Sequence, residues 1–178
     1  MAAKKEASHL TMTANIDRKV FTDFALFDTF VMKKRWKNPV LFASIMILFS
    51  VICFAARKSH EQAGLLGTVL LSVGLVLPAV WFLLFMISVQ NQVKVNRLSS
   101  SKAQYFVMLS EENVRVAKGE ERVEHNWDEI YHVYLMKGCI YLYISQARAY
   151  LMPQCGDTDA AISLISSKVP ADKISDRR

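Results

Sequence analysis

Two long apolar stretches without a charged residue, 38–56 and 62–93, are separated only by the short connection Arg57–Glu61. The hydrocarbon core of a bilayer is about 30 Å thick, and a helix needs about 20 apolar residues to cross it. The first stretch meets this length and the second exceeds it. The sequence therefore predicts a transmembrane helical hairpin at 38–93, with helices at about 39–57 and 64–89.

Basic residues concentrate at one end of the predicted hairpin. Four precede the first helix and three follow the second, whereas the connection holds only two. The flanking residues are Lys33, Lys34, Arg35, Lys37, Lys94, Arg97 and Lys102. Since lysine and arginine are retained on the cytoplasmic side, we expect a multi-pass protein with both termini in the cytoplasm.

Small residues give the second helix one face that another helix can approach closely. Ala63, Gly67 and Gly74 lie on this face and are the predicted helix interface. Pro78 removes one backbone hydrogen bond and predicts a kink. Neither span contains an ionisable residue, so we do not expect a self-contained ion pathway.

The segment before the hairpin, residues 1–37, has two patterns. Leu10–Thr13 alternates in polarity and predicts a short strand, which we expect to extend a sheet of the C-terminal domain. From Asn15 onward the apolar period changes to that of an amphipathic helix, with Asn15 as its expected N-cap. Two placements remain open for this helix: on the inner leaflet of the membrane, or against the C-terminal domain.

Residues 94–178 are predicted to form a small cytoplasmic α+β domain. Short runs of alternating or β-branched and aromatic residues indicate five strands, at 105–109, 114–116, 122–127, 140–144 and 148–152. An amphipathic helix follows Asp157, with an apolar stripe of Ile162, Ile165 and Val169. The expected fold is an antiparallel curled sheet capped by this C-terminal helix.

One stretch gives the domain a family resemblance. Trp127 is followed by Ile130, then by the aromatic strand Cys139–Ile144 and by a strand ending at Pro153. This arrangement resembles a pleckstrin-homology-like domain and is similar to the C-terminal region of the YcxB-like family of bacterial membrane proteins. The resemblance implies a bacterial inner membrane and no assigned biochemical activity. Gln154 stands where the family commonly has a basic residue.

Five residues of this motif have two interpretations. An aromatic sheet face can bind a peptide, but aromatic residues also suit the half-buried surface of an ordinary sheet. Either a partner surface or internal packing is therefore consistent with the pattern. The residues are Trp127, Ile130, Tyr141, Tyr143 and Pro153.

No motif predicts catalysis. The acidic pairs lie at turns and at a helix start, and the cysteines and histidines lack the spacing of a metal site, so we expect no enzyme activity, no metal and no cofactor. The net charge of +6 comes mostly from the residues near the membrane ends, while the chain beyond Gln90 is almost neutral. This balance argues against a nucleic-acid partner.

These observations predict a membrane-anchored, non-enzymatic binding or regulatory module. Its expected partners are the lipid bilayer and an unidentified protein. The alternative is a small structural subunit of a larger membrane assembly, including a homo-oligomer, held together through the small-residue face of the second helix.

Overall fold

The computed structural model describes residues 10–58, 60–96, 98, 105–154 and 157–178. They form two compact units. The helical unit is Thr22–Arg97, and the β unit combines the described parts of Met1–Phe21 and Leu98–Arg178. The segment predicted as 1–37 is therefore divided between the two units.

The helical unit consists mainly of a hairpin. Its helices are α2 (Lys37–Ala55), which ends in a 3₁₀ turn at Ala56–Lys58, and α3 (Glu61–Val95). Both are long and apolar enough to cross a membrane. Pro78 lies inside α3 without ending it.

The helix before the hairpin begins later than the sequence predicts. α1 (Arg18–Leu26) starts after Asp17, whose Oδ1 accepts the amide of Val20 at 2.7 Å. Asp17, not Asn15, therefore caps the helix, because the chain enters the helical conformation later than the apolar period suggests. α1 continues directly into a π-helical segment at Phe27–Met32.

The π-helical segment packs on α3, a placement that the sequence did not suggest. The ring of Phe30 makes edge contacts with Trp81, Phe82 and Phe85, at centroid distances of 6.0, 6.3 and 5.8 Å. Aromatic pairs favour such edge-to-face geometry. Phe30 of the predicted amphipathic segment therefore contacts α3 of the hairpin.

The two hairpin helices approach closely at two glycines of α3. A Cβ added to Gly74 would lie 3.0 Å from Cβ of Met46, and one added to Gly67 would lie 3.2 Å from the Phe54 ring. The buried Ser50 hydroxyl also donates a 2.7 Å hydrogen bond to the carbonyl of Gly67. Gly67 and Gly74 of the small-residue face thus contact α2 of the same chain.

The β unit contains two four-stranded sheets. Their strands are β1 (Leu10–Ala14), β2 (Tyr105–Leu109), β3 (Asn113–Lys118), β4 (Glu121–Asn126), β5 (His132–Met136), β6 (Cys139–Tyr143), β7 (Ala149–Pro153) and β8 (Ile174–Arg177). The first sheet has the order β1-β2-β3-β4, and the second has the order β7-β6-β5-β8. The predicted N-terminal strand is confirmed, because β1 pairs antiparallel with β2 along its whole length.

The second sheet departs from an all-antiparallel arrangement. β8, which was not predicted, pairs parallel with β5. The strand predicted to reach Trp127 ends at Asn126, and a 3₁₀ turn over Trp127–Glu129 leads to β5. A short 3₁₀ turn at Ala171–Lys173 precedes β8. The two 3₁₀ turns show no regular alternation of polar and apolar side chains, and this alternation was the pattern from which the strands were predicted. The pattern therefore could not locate these turns.

One hydrophobic core joins both sheets to α4 (Thr158–Lys168). Met12 and Val107 enter it from the first sheet, Leu142 from the second, and Ala161 and Ile165 from the helix. Ile162, expected on the buried stripe, is only partly buried. The predicted C-terminal helix therefore packs over the same core that both sheets share.

We predict that Gly74→Leu destabilises the hairpin, because the new side chain must displace Met46. Overpacking of this kind costs about 1–3 kcal/mol. Ala79→Leu, on an exposed position of the same helix, is the matched control and should leave stability unchanged. Thermal unfolding of the two purified variants in detergent checks the prediction, and equal midpoints would contradict it.

Candidate binding surface

Four of the five motif residues lie in the interior of the β unit. Their exposed fractions are 7% for Trp127, 0% for Ile130, 3% for Tyr141 and 1% for Tyr143. Trp127 also donates its indole N–H to the carbonyl of Ser110 at 3.1 Å. This burial favours the packing interpretation over the partner surface. Pro153, the last residue of β7, is partly exposed.

The hydroxyl of Tyr105 joins the two sheets. It donates to the carbonyl of Leu151 at 2.9 Å and accepts the amide of the same residue at 2.7 Å. Burial raises the pKa of this phenol, so the hydroxyl keeps its proton and its donor role at any physiological pH. The Tyr105 ring also makes an edge contact with Tyr150, whose hydroxyl lies 3.2 Å from Nε2 of His125.

Cys139 and His132 of the β unit carry side chains that could react, but their surroundings are those of structural residues. Burial raises the pKa of the Cys139 thiol to about 12, so it is not a nucleophile near neutral pH. Burial also lowers the pKa of His132, whose Nε2 lies 2.9 Å from the Ser175 hydroxyl across the β5–β8 pair. Cys155 lies outside the described residues. Within the described ranges, no three His, Cys, Asp or Glu residues are grouped as metal ligands would be.

The outer face of the first sheet is the clearest candidate surface. Strand register aligns two rows of side chains across its four strands. One row is Thr13, Phe106, Ala117 and Arg122, and the other is Thr11, Met108, Arg115 and Glu124. We call these eight residues the outer face. Because alternate residues of a strand point to opposite sides, this face is opposite the core residues Met12 and Val107.

Apolar and charged groups are combined on the outer face. Phe106 is 43% exposed and lies in the second strand of the four. A cavity of about 300 Å³ in the same sheet is lined by Met108, Ala117, Arg122 and other residues of β3 and β4. Arg115 pairs with Glu124, with Nε and Oε2 3.2 Å apart. Among the described residues, no carboxylate lies within ion-pair distance of Arg122.

The edge strand β4 borders this face. Within the described part of the chain, β4 pairs with β3 on one side and with no strand on the other. An unpaired edge can accept an extended segment of another protein. Val123 of this strand is 41% exposed, although it is paired with the core residue Val116 and so lies on the core side of the sheet.

Sequence reasoning did not identify the outer face. β2 reads Tyr-Phe-Val-Met-Leu, so it is apolar on both faces and its alternation cannot distinguish core from surface. This lack of a polar face was the available signal, because an ordinary solvent-facing strand would carry polar side chains at the positions of Phe106 and Met108.

No family model, curated protein or solved structure matches this chain. The assignment of function therefore depends on the geometry of the chain itself.

We predict that Tyr105→Phe destabilises the β unit, because both backbone groups of Leu151 lose their partner. Buried groups left without a hydrogen bond cost about 1–3 kcal/mol. Tyr131→Phe is the control, since that side chain is 40% exposed. Denaturant unfolding of the two full-length variants, monitored by near-ultraviolet circular dichroism, checks this prediction. Equal unfolding midpoints would contradict the stabilising link between Tyr105 and Leu151.

Proposed function

We propose that this chain is a membrane-anchored, non-enzymatic binding module whose β unit recruits a protein through the outer face. The observation that carries the proposal is the exposed Phe106, which shares one row of the outer face with Arg122, on a sheet whose opposite face contributes to the core. Apolar side chains flanked by guanidinium groups are typical of protein recognition surfaces.

The exposure of the hairpin supports membrane insertion. Only 6% of the residues in the apolar window of each candidate span are buried. The core helix of a soluble protein would be mostly buried, whereas these helices present leucine, isoleucine, valine and phenylalanine outward. Lipid is the solvent that such a surface requires, and a helix can cross it because it pairs most of its backbone groups internally.

The pairing of β1 with β2 supports the expected topology. β1 precedes the hairpin and β2 follows it, yet the two strands belong to one sheet. A chain that crosses a membrane twice returns to its starting side, so this pairing agrees with two crossings. The basic residues at that end favour the cytoplasmic side of a bacterial inner membrane.

The expected partner is a protein segment with an apolar side chain and a neighbouring carboxylate. The apolar group would contact Phe106 and Met108, and the carboxylate would pair with Arg122. Anchoring holds the module at a high local concentration beside other membrane proteins, so a weak contact is sufficient for recruitment.

Two sheets with a helix over their shared core support a pleckstrin-homology-like fold, and the strand β8 that follows this helix is an addition to the expected arrangement. Membership of the YcxB-like family stays a prediction from the sequence motif. The alternative role as an assembly subunit loses its specific support, because Gly67 and Gly74 contact α2 of the same chain. A self-assembly interface would need another face of the hairpin.

Site-specific photo-crosslinking in intact membranes tests the proposal. A photoreactive residue at position 106 should link to a distinct protein, and Arg122→Glu should weaken this link several-fold by reversing the charge. The control probe is at position 131, which is 40% exposed and directly precedes β5 of the second sheet rather than lying on the outer face. Equal links from both probes, or self-links alone from position 106, would refute the recruiting function.

A further inference from the structure

A groove lies within the helical unit, between the start of α2 and the middle of α3. Its volume is about 580 Å³. Arg35 and Asn38 line its polar part, and Phe42, Leu77 and Trp81 are among its apolar lining residues. The binding module described above makes no use of this groove.

Prolines from both helices form part of the groove wall. Pro39 lies in the first turn of α2, and Pro78 lies inside α3. Trp81 is held beside them by the edge contact with Phe30 and by stacking on Phe85 at 6.2 Å. The Trp81 side chain is therefore fixed by neighbouring rings rather than free to fill the groove.

The backbone before α2 positions Arg35. Lys34 has a φ of +49°, a left-handed conformation that costs energy for a residue with a side chain. Immediately after it, the Arg35 amide donates to the carbonyl of Thr29 at 2.9 Å. The Trp36 indole N–H donates to the carbonyl of Phe30 at 3.0 Å. These contacts hold the segment against the π-helical turn.

The charge at the groove is positive. Lys33 is neutralised by Asp28, with Nζ and Oδ2 2.6 Å apart. In the part of the chain that the structure describes, Arg35 has no carboxylate within ion-pair distance. Lys34 and Lys37 flank it, and the positive end of the α2 dipole lies beside them. An anion is therefore the favoured occupant of the polar part.

The lining matches the chemistry of a phospholipid. A guanidinium can bind a phosphate through two parallel hydrogen bonds, and the Asn38 amide can donate another. Phe42 and Leu77 offer an apolar wall for an acyl chain. A choline or ethanolamine headgroup would bring a positive charge towards Lys34 and Lys37, so the surroundings favour a headgroup with net negative charge.

We propose that this groove is a selective site for one anionic phospholipid of the leaflet next to the basic residues. The site rests on the proposed membrane insertion but is independent of protein recruitment by the outer face.

Native mass spectrometry of the full-length protein, released from detergent micelles that contain equal amounts of phosphatidylglycerol and phosphatidylcholine, tests the site. The unmodified protein should retain phosphatidylglycerol preferentially. Arg35→Gln should lower this preference about tenfold, since one charge-assisted interaction is lost. Lys37→Gln is the matched control: it removes the same charge from a residue that does not line the groove, and it should keep most of the preference.

A second variant tests the cavity itself. Leu77→Trp should fill the groove and reduce retention of phosphatidylglycerol while Arg35 stays in place. Millimolar inorganic phosphate should not displace the lipid, because it lacks an acyl chain. Equal losses in Arg35→Gln and Lys37→Gln would show diffuse attraction to basic residues and overturn the site, as would displacement by phosphate or the absence of any preference.

Failure of this site is distinguishable from failure of the proposed function. If the lipid site is wrong, alkaline carbonate will still leave the protein in the membrane pellet, and the crosslink from position 106 will persist. If the protein is released by carbonate, membrane insertion itself is refuted, and the lipid site with it.

Discussion

The pairing of β1 with β2 is the constraint on which the rest of the structure depends. Five residue pairs, from Leu10 with Leu109 to Ala14 with Tyr105, join strands that flank the entire hairpin. Met12 enters the shared core through this pairing and is 1% exposed. β1 precedes the hairpin in the sequence, whereas all the other strands of the β unit follow it.

Two different kinds of contact stabilise the two units. In the hairpin, glycines allow close helix approach and the Ser50 hydroxyl bonds the Gly67 carbonyl, which suits a solvent where apolar burial alone gives little net gain. In the β unit, burial of apolar side chains from both sheets and α4 is the driving force, and the Tyr105 hydroxyl links the sheets. Each unit uses the interactions that its proposed surroundings favour.

The sequence predicted the parts with strong periods and missed those set by tertiary contacts. Both long helices, the strand at Leu10 and the helix after Asp157 followed from length, alternation or an apolar stripe. The strand β8 could not be predicted, because Ile174–Arg177 has a single strongly apolar residue and is ordered by parallel pairing with β5. The outer face was missed because β2 is apolar throughout, so its pattern does not show which side is exposed. The groove was missed because its lining residues, such as Arg35 and Leu77, are about 40 positions apart in the sequence.

Disulfide trapping in intact membranes tests the central pairing most directly. Thr13 and Phe106 are opposed in adjacent strands on the outer face, at a separation that a disulfide can bridge. The full-length chain with cysteines at both positions should form this bond readily on mild oxidation. A chain with cysteines at positions 13 and 124, on the two edge strands of the same sheet, should not. Absence of the bond in the first chain, or equal bonding in both, would contradict the account.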